Sequence, residues 1–267
     1  MKTLISVVLF CLGLSVLSCS TSPTGRKQLL LLPPSQLDQM GAQSFAQMKS
    51  QIPQDNDPRT NAYVKCIASA LTKEIEGQTD VKEWEVVVFR DESANAFALP
   101  GGKIGVHTGI LKVAKTADQL AAVMGHEVGH VLAQHGNERV SSTLGAQLSL
   151  AAADAILANK QNPNRRTIMA ALGIGAQFGV LMPYGRAQES EADMIGLEMM
   201  AKAGFNPEDS VELWRNMGAA GGGQPPEWLS THPSHETRIS NLQGKMRDVM
   251  PFYQQAKAAG KSPNCTR

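Results

Sequence analysis

The chain has 267 residues, with 25 Lys and Arg against 24 Asp and Glu, and a pI near 7.7. So even a balance excludes nucleic acid as the main partner, because that partner leaves a basic face and a high pI. The length allows one large domain or two small ones, and 42% hydrophobic content supports a core and excludes bulk disorder.

Met1-Lys2-Thr3 is a short positive start, followed by an apolar run from Leu4 to Leu17. At about 14 residues that run is too short to span a bilayer, which predicts a signal peptide over residues 1–18. Val16-Leu17-Ser18-Cys19 resembles a bacterial lipobox, so cleavage before Cys19 would leave its thiol to carry a lipid. The alternative is an ordinary leader with an incidental Cys. Ser20, in the place where Asp would retain the protein at the inner membrane, points to the outer membrane, facing the periplasm. Residues 19–34 then read as a lipidated tether. Cys11 leaves with the leader, and with Cys19 acylated only Cys66 and Cys265 remain. In an oxidising compartment an even pair predicts one disulfide, tying the C-terminal tail to an early helix; the alternative is two unpaired thiols.

Residues 35–50 read as a helix with Ser35 as N-cap, and 57–77 as a second, with Tyr63, Ile67, Ala70, Leu71 and Ile75 at helical spacing. Gly77 stops it. The period then changes. Trp84 to Phe89, Ala96 to Leu99 and Lys103 to His107 are short β-rich runs, and Pro100-Gly101-Gly102 predicts a hairpin turn between the last two. Thr116 opens the next helix: Thr-x-x-Gln is a capping-box pattern, and Asp118 suits a positive helix N-terminus. That helix is predicted to run to about 136. Residues 141–159 and 167–182 are helical stretches rich in Ala, Gly and Leu, and neither makes a convincing membrane span. Further helices are predicted over 186–203, from Asn206-Pro207 to about 218, and over 234–248, with a flexible linker from Gly218 to Gln224. The fold class is α+β, mainly α-helical, with a small sheet next to the helix that starts at Thr116 and a single domain over 35–267.

His126-Glu127-Val128-Gly129-His130 lies inside that capped helix. Two histidines four apart lie about 40° apart in azimuth and one turn apart in height, so both imidazoles reach one ion. Glu127 sits between them, placed to take a proton from a water at that ion, which is the arrangement of zinc hydrolases. A catalytic zinc needs a third protein ligand. Glu189-Ser190-Glu191-Ala192-Asp193 supplies two glutamates, and by chemistry alone either serves. Glu189 and Asp193 share a helix face, while Glu191 points about 200° away.

His-Glu-x-x-His followed by Glu-x-x-Ala-Asp resembles the zinc metallopeptidase family of the CAAX prenyl proteases, HtpX, the mitochondrial Oma proteases and BepA/LoiP, which are gluzincins. The likeness extends to Asn95 through Gly102, Gly125 to His135, Arg186 to Gly196, and Thr231-His232-Pro233. It implies a zincin-like metallopeptidase domain with one Zn2+ per chain, held by His126, His130 and Glu189. Glu191 is left as a solvated helix face. The same likeness makes Asp193 a partner of a ligand imidazole. It gives His232 a place near the zinc, as a regulatory ligand or an oxyanion stabiliser, against a purely structural role in its loop. His135, His107 and His235 read as structural or surface histidines. Arg238 is set to position the His232 loop, and Arg186 to pair with a site carboxylate; both also read as solvated arginines. HtpX and the CAAX proteases carry transmembrane helices, so the resemblance points to the soluble BepA/LoiP-like lipoprotein branch.

The resemblance implies a zinc endopeptidase with Glu127 as general base, acting on misfolded or unassembled envelope proteins. Extended polypeptide would lie along the sheet edge formed by Asn95, Ala96 and Phe97. The other function class is an outer-membrane assembly factor or holdase that uses the same cleft with little or latent proteolysis. The implied partners are therefore extended polypeptides, the membrane through the N-terminal lipid, and outer-membrane assembly machinery. Residues 141–182 are predicted to form a helical lid or plug over the cleft that also touches the membrane surface, the alternative being two core-packing helices.

Overall fold

The structure is a computed structural model that describes residues 19–177, 181–220 and 238–267. The leader predicted at 1–18 and the linker residues 221–224 lie outside the described residues. In chain order the elements are β1 (Cys19–Thr21), β2 (Lys27–Leu29), α1 (Pro34–Gln51), α2 (Pro58–Lys73), β3 (Glu85–Phe89), β4 (Ala96–Leu99) and β5 (Lys103–His107). The helices α3 (Ile110–Val113), α4 (Ala117–Leu132), α5 (His135–Asn159), α6 (Arg165–Ala176), α7 (Met182–Ala203), α8 (Asp209–Ala220) and α9 (Arg238–Ala258) follow. The chain is α+β and mainly helical, as its periodicities predict. By its contacts the chain divides into two compact units, Met1–Gln36 with Gln134–Gln188, and Leu37–Ala133 with Glu189–Arg267.

The second unit carries a three-stranded sheet in the order β3-β5-β4. The predicted hairpin is present: β4 pairs antiparallel with β5, Ala96 opposite Val106 and Leu99 opposite Lys103. Gly101 and Gly102 turn it with φ of 77° and 72°, a region that side chains disfavour. A Cβ on Gly102 would also stand 2.7 Å from the Glu83 carbonyl oxygen. What periodicity does not reveal is that β3 runs parallel to β5, so that the last strand in sequence is the central one. Helix α2 carries Val64, Ile67 and Leu71, all fully buried, and packs them against Val106, Leu120, Met124 and Met200 in one core. The predicted bridge between Cys66 of α2 and the tail at Cys265 is formed, with Cα atoms 5.6 Å apart.

The start of α4 is as its capping signals predict, with one difference. Thr116 Oγ1 accepts from the Gln119 N–H at 3.1 Å, but Gln119 Oε1 returns to the N–H of Lys115, not of Thr116. Asp118 accepts from the backbone N–H of Asn206 at 2.7 Å, so the cap residues also tie α4 to the segment before α8. Helix α4 ends at Leu132, four residues before the predicted stop. The break is not Gly136 but Gln134, which adopts left-handed backbone at φ 51°.

In the first unit, residues 19–34 are not a free tether. β1 and β2 form an antiparallel hairpin, and Arg26 donates two hydrogen bonds to the buried Glu138 carboxylate, at 2.5 and 2.6 Å. Gln28 and Gln188 donate to Glu138 as well, at 3.3 and 2.9 Å. A buried carboxylate is costly unless it is paired and hydrogen-bonded, so the segment read as a polar tether is drawn in to satisfy it. Helix α5 begins at His135, not at 141, and is the one helix among the described residues long and apolar enough, by length and composition, to cross a membrane. Helix α7 likewise starts earlier than 186, and α9 runs ten residues past 248, to Ala258, with Pro251 inside it.

Candidate active site

The site is built where two helices of the second unit cross on small residues. On α4, Gly125 and Gly129 face α7. A Cβ on Gly125 would lie 3.1 Å from the Gly196 carbonyl oxygen, and one on Gly129 3.1 Å from that of Ala192. A Cβ on Gly196 would lie 2.7 Å from the backbone nitrogen of His126. The backbones approach closely at the crossing, so His126 and His130, each one residue after a glycine of α4, are brought to Glu189 and Asp193, which lie seven and three residues before Gly196 on α7. His126 and His130 come from α4, and Glu189 and Asp193 from the facing side of α7.

The donor atoms converge. His126 Nε2 and His130 Nε2 lie 3.0 Å apart. Glu189 Oε2 is 3.2 Å from His126 Nε2, and Glu189 Oε1 is 3.4 Å from His130 Nε2. Tetrahedral ligands at about 2.0–2.1 Å from a metal stand about 3.3 Å from one another. The three side chains are therefore spaced as a tetrahedral metal spaces its ligands. All three are buried, at 2%, 9% and 7% exposure for His126, His130 and Glu189.

The surroundings favour a cation at that point. His126 Nδ1 donates to Asp193 Oδ1 at 2.9 Å, which leaves the Nε2 lone pair for the cluster. Burial works against a charged His126 imidazole, yet the hydrogen bonds to Asp193 and Glu189 outweigh it and raise its pKa to about 9. Burial likewise opposes charge on Asp193, but the bond from His126 and the Arg238 guanidinium hold its carboxyl below the usual range. Arg238 donates through Nη2 to Asp193, and its guanidinium carbon lies over the Trp214 ring, 4.1 Å from the ring centre. A cleft beside the cluster is lined by Glu189, Asp193, Arg238, Asn241 and Lys245.

Not every predicted residue takes the place expected of it. Glu127 is on α4 between the two histidines and is buried at 4% exposure. Glu191, predicted to be a solvated helix face, is instead buried at 5%, because α7 is covered on more than its α4 side. His232 and His235 lie outside the described residues. His107 is buried on β5, with Nδ1 2.7 Å from Ser93 Oγ. His135 is buried at the start of α5. Arg186 is exposed and makes no ion pair among the described residues.

For the sheet edge, the backbone of Asn95 is committed inward: its carbonyl accepts from the His107 N–H at 3.0 Å. Antiparallel pairs alternate, so Phe97 also faces β5, and Ala96 and Ala98 turn their N–H and C=O groups to the outer edge. The Phe97 ring is stacked on Phe89, with centroids 6.1 Å apart. The link from Arg238 to Asp193 is the feature that sequence reasoning missed. A buried position at the first turn of an otherwise polar helix is a weak local signal for it.

Comparison with known proteins agrees with this geometry. The model of peptidase family M48 matches residues 58–246. The chain is 38% identical to mitochondrial metalloendopeptidase OMA1 of Schizosaccharomyces pombe over 188 residues, 69% of this chain and 52% of the relative. It is 32% identical to the human metalloendopeptidase OMA1, over 82% of this chain and 44% of the relative. The beta-barrel assembly-enhancing protease of Escherichia coli is 27% identical over 82% of this chain and 45% of its own length. The chain thus spans about half the length of these relatives.

Proposed function

This chain belongs to peptidase family M48, with the zincin-like fold of that family, and from that premise we propose that it is a zinc-dependent endopeptidase. The observation that carries the proposal is the buried convergence of His126, His130 and Glu189, with ligand atoms within 4.8 Å of one another. These three would hold one Zn2+. When bound, the metal supplies Lewis acidity, polarising the scissile carbonyl and lowering the pKa of a nearby water.

The chain's own residues do the rest. Glu127 takes the proton from the attacking water and passes it to the leaving amine. Asp193 holds the His126 ring in the tautomer that presents Nε2, and Arg238, packed on Trp214, fixes Asp193. Ala96 and Ala98 pair with the main chain of an extended substrate, which gives weak sequence preference and suits loosely structured polypeptide. Asn95 and Phe97 shape that edge from within: Asn95 through its carbonyl, Phe97 through its ring. The family likeness would give His232 the role of a regulatory ligand or oxyanion stabiliser.

The cellular setting is part of the same proposal. Acylation at Cys19 would anchor the protein to the outer membrane, facing the periplasm, where misfolded or unassembled envelope proteins are the substrates. The likeness to an assembly-enhancing protease supports a second reading, a holdase working with outer-membrane assembly machinery through the same cleft. Unfolded casein separates the two. Wild type should cleave it, while Glu127→Gln and the chelated protein should not. Equal cleavage in all three would refute the proposal, and binding without cleavage by wild type would favour the holdase.

A further inference from the structure

Helices α5 and α6 present an apolar surface that the metal site does not use. No residue from 142 to 177 is buried. Val140, Leu144, Leu148, Ile156, Leu172 and Ile174 are exposed, Leu148 and Ile174 at 61% and 60%. Exposed large apolar side chains in this number on one helix pair point to an interaction surface. The distribution identifies its occupant. Val140, Leu144, Leu148 and Ile156 follow steps of four and eight, each step of four advancing about 40° round the helix. They therefore wind over a sector of about 160° and do not form the narrow a/d seam of a coiled coil. A non-directional apolar solvent meets such a surface.

Arg139 is exposed at the first turn of α5, and from 140 to 177 the only charged residues are Asp154, Lys160, Arg165 and Arg166, near the turn between the helices. Arg165 is paired with Asp154, with hydrogen bonds of 2.7 and 2.6 Å, while Lys160 and Arg166 are exposed and make no ion pair among the described residues. These two cations are free to meet phosphate headgroups.

Length decides how such a pair meets lipid. Helix α6 has 12 residues, about 18 Å, too short for the ~30 Å hydrocarbon core. The turn between the helices holds Lys160, Gln161, Asn162 and Asn164, which cannot rest in hydrocarbon. The first turns of α5 are committed elsewhere, Asn137 and Ser141 being hydrogen-bonded to Leu32 and Leu31. Helix α6 is thus too short to span as the return arm of a hairpin, whereas burial along the boundary layer accommodates both helices.

We propose that α5 and α6 form a membrane-docking surface that lies in the headgroup–acyl boundary of an anionic phospholipid bilayer. The idea does not depend on zinc or on proteolysis. A photoreactive residue placed at Leu148 or Ile174 of the full chain tests it, in vesicles of phosphatidylethanolamine and phosphatidylglycerol, with Lys65 on α2 as the exposed control. Phospholipid adducts at 148 and 174 should exceed those at 65 at least fivefold. Charge reversal, Lys160→Glu with Arg166→Glu, should lower them at least threefold. Adducts no greater than at 65, or adducts mainly to a second copy of this chain, overturn the docking surface. Adducts unchanged by charge reversal overturn its anionic preference.

Discussion

Gly196→Ala tests whether the helix crossing sets the metal geometry. The new Cβ would sit 2.7 Å from the His126 nitrogen and 2.8 Å from the Gly125 carbonyl carbon. Both are backbone atoms, which no rotamer change can move aside. Relief to an ordinary contact of about 3.4 Å requires the helices to part by about 0.7 Å. Glu189 is two turns up the same face of α7 and moves with it, whereas metal–ligand distances tolerate about 0.2 Å. Alanine favours helix by about 1 kcal/mol over glycine. Overpacking costs about 1–3 kcal/mol, so the protein should fold with a net loss of about 0–2 kcal/mol. Zinc affinity should fall by about 10–100-fold, the range seen when support of a ligand is lost. Competition titration against a chelator reads the affinity, and urea denaturation reads the fold. Gly218→Ala is the control: a Cβ there meets nothing within 4 Å, so it should leave zinc affinity unchanged and raise stability slightly. Wild-type zinc affinity in Gly196→Ala would show that the glycine crossing does not place Glu189.

The remaining predictions concern single contacts. Asp193→Asn removes the charged acceptor of the His126 Nδ1–H and should lower zinc affinity about 10–100-fold at pH 7, read by the same titration; an unchanged value would remove Asp193 from the site. The bridge Cys66–Cys265 closes a loop with a sequence separation of 199, so Cys66→Ser with Cys265→Ser should lose about 3–5 kcal/mol in denaturant unfolding. A loss under about 0.5 kcal/mol would contradict the loop-closure account. Burial raises the Glu138 pKa, but the Arg26 guanidinium and the Gln188 amide outweigh it and bring it below the usual glutamate range. Its contribution is thus complete above the unfolded pKa of about 4.3 and lost as pH falls through the lower folded value. The protection of residues 26–32 against hydrogen exchange, taken relative to the intrinsic rate at each pH, should therefore fall below about pH 4 in wild type. Glu138→Gln should show that lower protection already at pH 7, and a variant that matches wild type at both pH values would refute the pairing.

Much of this protein is legible locally. The helix of His126 and His130 follows from Thr116, Asp118 and the spacing of four, because helical hydrogen bonds and caps reach only a few residues. The hairpin at Gly101-Gly102 is equally local. The third ligand is not. Glu189 and Glu191 have the same chemistry, and the helical period tells only that they face different ways. Family likeness favoured Glu189 in advance, and the geometry brings it to the two histidines.

Three features depend on segments far apart in the chain. Residues 19–34 look like a free tether until Glu138, over a hundred positions on, is seen to require Arg26 and Gln28. Arg238 reads as a solvated or loop-positioning arginine until Trp214 and Asp193 stand against it. β3 runs parallel to β5, with Val88 opposite Val106, and both side chains enter the core shared with α2, a pairing that the local pattern of either strand does not reveal. Composition, spacing and motif thus determine which groups are present and which helix presents them. Only the tertiary structure decides which carboxylate meets the histidines. That choice rests on how closely two backbones approach, and Gly125, Gly129 and Gly196 set the approach by having no side chain to hold them apart.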